Sequence, residues 1–100
     1  MMEKEMLDIL RLFYQKSQQD CRLNKAHLAL FLSLFLYWES AGFPQKINVF
    51  SNQMMPLAKI SSTATYNKLI RQLDEYGYIR YMPSHYKKRG SEIAFNTKGS

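Results

Sequence analysis

The stretch ISSTATYNKLIRQLDEYGYIRY, from Ile60 to Tyr81, decides the fold. Ser61 and Ser62 are candidate caps, because a serine hydroxyl can take a first-turn N–H that has no partner inside a helix. Tyr66, Leu69, Ile70, Leu73 and Tyr76 recur at helical spacing and define one face that must be buried. The opposite face carries Ala64, Asn67, Lys68 and Arg71, which are small, amide-bearing or cationic. Gly77 follows the last periodic residue, where a left-handed C-cap is cheapest without a β-carbon. Tyr78-Ile79-Arg80-Tyr81 is aromatic and β-branched and reads as a strand. The spacing predicts a helix over about 62–76, apolar behind and polar in front, that runs into a β-hairpin.

Just upstream, Ser51 is read as the cap of a short helix reaching about Lys59. Pro56 interrupts it, so the helix either bends there or starts a turn later with Pro56 near its first position. A short helix, the tight link Lys59-Ile60-Ser61 and a longer helix make a helix-turn-helix over 51–76. Ile47-Asn48-Val49-Phe50 alternates and reads as a short strand before it. Further back, KAHLALFLSLFLYWESA (25–41) is a central helix with Asn24 as its cap. Its apolar residues go most of the way round, which predicts enclosure on more than one side, with Trp38 and the Phe/Leu run in the core. Gly42-Phe43-Pro44 breaks it. An N-terminal helix over 3–19 puts Met6, Ile9, Leu10 and Phe13 on one stripe, with Leu7 and Tyr14 spilling onto a second. That width suits contact with a second copy of the chain through Leu7, Leu10 or Tyr14.

Downstream, a wing hairpin is expected over 78–96. Ser91 to Phe95 pairs back on Tyr78 to Tyr81, and a basic loop over 84–90 carries Lys87, Lys88 and Arg89. His85 reads as surface and Tyr86 as able to stack or hydrogen-bond. The expected class is therefore mainly α with a small antiparallel β-hairpin, α+β, in one domain of 100 residues.

Net charge is +6, with +1 accumulated through Ala58 and +5 from Lys59 onward. The excess lies with the second helix of the pair and its hairpin, where phosphates would be met; an ordinary solvated basic surface is the plainer alternative. One cysteine, Cys21, excludes an internal disulfide. The acidic start MMEKEMLDIL does not suit a signal peptide, and the apolar run Leu28 to Trp38 is shorter than the roughly 20 residues that cross a bilayer. A cytoplasmic protein is expected. With two histidines, no G-x-S-x-G, no phosphate-cradling glycine loop and no H-E-x-x-H, neither an enzyme nor a bound cofactor or metal is expected. His27 reads as structural.

Over Ser62 to Ile79, S-x-x-T-Y-x-x-x-I-x-x-L-x-x-x-G-Y-I resembles the reading-helix pattern of bacterial winged helix-turn-helix regulators. HLALFLSLFLYWESAGFP, KISSTATYNKLIRQLDEYGYI and GSEI are together similar to small winged-helix proteins of bacterial mobile elements and to phage replisome-organiser N-terminal domains. Pro56 and the short tail after the last strand depart from the pattern. The resemblance implies a winged helix-turn-helix with an extra N-terminal helix. It also implies double-stranded DNA as partner, for transcription regulation or an accessory role at the nucleoid. Asn67, Lys68 and Arg71 would then read bases or meet phosphates in the major groove, Ser62, Thr63 and Thr65 would meet phosphate, and Lys87, Lys88 and Arg89 would hold the backbone. The alternative is an interaction module of a replication-initiation assembly with weak or no DNA contact.

Overall fold

The computed structural model describes residues 4–84 and 90–95 of the chain. Its elements run α1 (Lys4–Gln19), α2 (Lys25–Ser40), β1 (Ile47–Val49), α3 (Ser51–Leu57), α4 (Thr63–Glu75), β2 (Ile79–Met82) and β3 (Ser91–Phe95). This is the expected α+β class, four helices with a small antiparallel sheet. The hairpin gains a third strand, because β1 joins it in the antiparallel order β1-β3-β2. Ile47 lies opposite Ile93 on one side, and Tyr81 lies opposite Ile93 on the other. Gly90 makes the join possible: its φ is +68, and a β-carbon there would come within 2.7 Å of the Val49 carbonyl oxygen.

α2 is the centre of the core, with Leu30, Leu34 and Phe35 fully buried. Phe13 of α1 stacks on Phe31 with ring centroids 3.6 Å apart. Phe95 of β3 meets Phe31 and Phe35 edge-on and stacks on Trp38 at 4.4 Å. The Trp38 indole N–H donates to the Pro44 carbonyl, which ties the chain leaving α2 back onto it. Helices α3 and α4 pack on a further side.

The cover is incomplete, contrary to the expectation for the Phe/Leu run. Leu32 and Leu36 keep 45% and 46% of their surface exposed. α1, the α3–α4 pair and the sheet take three sides of α2, and no described element takes the fourth.

Asn24 caps α2 reciprocally. Its side chain accepts from the Ala26 and His27 amides, and the His27 ring accepts from the Asn24 amide. His27 here does the work of the usual glutamate of a capping box. Ser51 does not cap α3: that place falls to Phe50, which has no side-chain bond to offer, because β1 ends at Val49 and Ser51 is already helical. Pro56 does not begin the helix: it lies near the end, one residue before α3 closes at Leu57.

Candidate nucleic-acid interface

The two faces of α4 divide as the spacing requires, except that Tyr76 lies just past the last helical residue and is only half-buried. Tyr66, Leu69, Ile70 and Leu73 are buried, between 0% and 4% exposed. Thr63, Ala64, Thr65, Asn67, Lys68 and Arg71 are all exposed, as is Ser62 at the cap. Asn67, Lys68 and Arg71 therefore share one open surface, and neither α1 nor any other described element covers it. Neither Lys68 nor Arg71 forms an ion pair with a described residue.

Both ends of α4 are held. At the start, the Ser62 hydroxyl accepts from the Thr65 amide at 3.3 Å, so Ser62 and not Ser61 is the cap. At the end, the Tyr78 amide donates to the Leu73 carbonyl and the Gly77 amide to Asp74, with Gly77 at φ +86. These paired bonds form the left-handed termination that glycine favours. His27 adds a lateral tie. With its Nδ1 accepting from Asn24, its Nε2–H donates to the Gln72 side-chain oxygen at 2.7 Å. The ring is fully buried and both its nitrogens have partners, which is a structural role.

The loop before α2 makes a second tie. Asp20 accepts from the Arg22 guanidinium through both carboxylate oxygens and from the Tyr78 hydroxyl at 2.9 Å. Arg22 also lies over the Tyr76 ring, 4.0 Å from its centroid. The hydrogen bond from Arg22 holds the Asp20 carboxyl well below its ordinary range. Burial, and then the bond to Asp20, push the Tyr78 phenol up to about 12. Tyr66 on the buried face is likewise pushed up to about 12, chiefly by burial. α4 is thus a platform fixed at its start, its end and along its back.

Its charge is graded along the axis. Lys59 to Arg71 contains three cations and no acid, whereas Asp74 and Glu75 are exposed at the far end. The first turn holds no acidic side chain, so nothing neutralises the positive end of the helix dipole. Unpaired amides, dipole and cations all favour an anion at the start of α4.

Lys59 lies in the tight link between α3 and α4. α2, α3 and α4 all end in the same pair of backbone bonds, around Gly42, Lys59 and Gly77. The first and last have φ +86; Lys59 adopts φ 61 despite its β-carbon, at a cost of about 1 kcal/mol. Nothing in the local sequence signals that conformation. Arg80 adds an exposed cation on β2. Lys87, Lys88 and Arg89, with His85 and Tyr86, lie outside the described residues.

Among the described residues, no three His, Cys, Asp or Glu side chains gather where a metal ion could sit. Cys21 is exposed and free. No helix among the described residues is long and apolar enough to cross a membrane. No protein-family model matches the chain, and no curated protein matches it significantly.

Proposed function

We propose that the chain binds double-stranded DNA, with α4 in the major groove and the β2–β3 hairpin against the backbone. Its role would be that of a transcriptional regulator or accessory factor of a bacterial mobile element, acting in the cytoplasm at the nucleoid. The observation that carries this reading is the open face of α4. Asn67, Lys68 and Arg71 stand in solvent on a helix whose other face is wholly core. A helix so mounted can enter the roughly 12 Å major groove without disturbing the fold. Arg71 and Lys68 suit guanine acceptors or phosphate, and Asn67 suits adenine. Ser62, Thr63 and Thr65 suit phosphate at the helix start, and the wing cations Lys87, Lys88 and Arg89 add sequence-independent attraction.

The test is fluorescence anisotropy with a labelled random-sequence duplex at low salt, followed by selection of bound duplexes from a random pool. Micromolar binding that weakens steeply with added salt is expected, with an enriched motif after selection. No binding at micromolar protein in low salt overturns the proposal.

One observation favours a second reading, a protein-interaction module of a replication-initiation assembly. Leu32 and Leu36 leave an apolar surface open on the central helix. Under that reading the duplex titration stays flat while the α2 face engages protein.

A further inference from the structure

We draw no further inference here: the strongest candidate, the apolar groove between α1 and α2 walled by Leu7, Leu10, Tyr14 and Leu28 with Leu32 at its mouth, is an unpartnered face, and nothing in the structure shows what covers it.

Discussion

α2 and α4 pack into one core, and they finish their outward faces in opposite ways. α4 buries Tyr66, Leu69, Ile70 and Leu73 and turns Asn67, Lys68 and Arg71 to solvent, as surface helices normally do. α2 has the more deeply buried interior, yet turns leucine outward at 32 and 36. A lysine or glutamine there would serve a lone monomer better. Outward polarity on α4 leaves a cationic surface open to solvent, the one on which the proposed duplex contact rests. Outward leucine on α2 leaves an apolar one.

The sharpest way to break the contrast is through neighbouring residues on one helix. Leu34 and Leu36 of α2 are two positions apart, one fully buried and the other 46% exposed. Leu34→Ala should cost about 2–5 kcal/mol of stability in urea denaturation, and Leu36→Ala less than about 1 kcal/mol in the monomer. On α4, Ile70→Ala should be destabilising on the scale of Leu34→Ala. Arg71→Ala should leave stability within about 0.5 kcal/mol while costing about 1–3 kcal/mol of affinity for the selected duplex. Equal unfolding from both changes on α4 would refute the division of its faces.

Removing the tie between the two helices is the next largest effect. His27→Ala strands the Asn24 amide and the Gln72 oxygen, at about 1–3 kcal/mol. Thermal melting checks it, and surface variants on either helix should not reproduce it. A smaller effect with two opposite readouts comes from Lys59→Gly. It should stabilise by about 1 kcal/mol, because glycine adopts the left-handed conformation freely. It should also weaken binding to random duplex and lower the salt slope by about one. Increased stability with undiminished affinity would make Lys59 an accident of the turn.

The pH dependence is set by the groups around α4. The Tyr66 and Tyr78 phenols are raised to about 12, so the folded state holds their protons more tightly than the unfolded chain does. Their contribution is complete below about pH 10 and is lost as pH climbs from there toward 12. Asp20 is depressed, so its contribution is present above about pH 4 and fades on acidification. Melting temperature against pH should fall on both flanks, and Tyr66→Phe should soften only the alkaline one.

The helices were legible in the sequence because period and punctuation agreed. Asn24 and Gly77 mark ends, and the spacing of Tyr66, Ile70 and Leu73 fixes which face of α4 is inside. The open front of α4 followed from that spacing. Three features were not legible. The pairing of β1 with the hairpin depends on Gly90 letting Val49 approach, a contact between distant segments that no local pattern encodes. The exposed leucines of α2 escaped notice because an all-round apolar helix reads as enclosed, and hydropathy cannot count how many neighbours exist. Lys59 in a glycine-like conformation carries no compositional trace at all.

The order of the sheet has a consequence for how the chain is made. Among the described residues β1 and β2 each pair only with β3, which follows both in the chain. A nascent chain on the ribosome therefore has its four helices before either strand has a mate, and Ile93 and Phe95 reach the core after them. Until they emerge from the exit tunnel, the Phe31, Phe35 and Trp38 rings lack the partner that stacks among them.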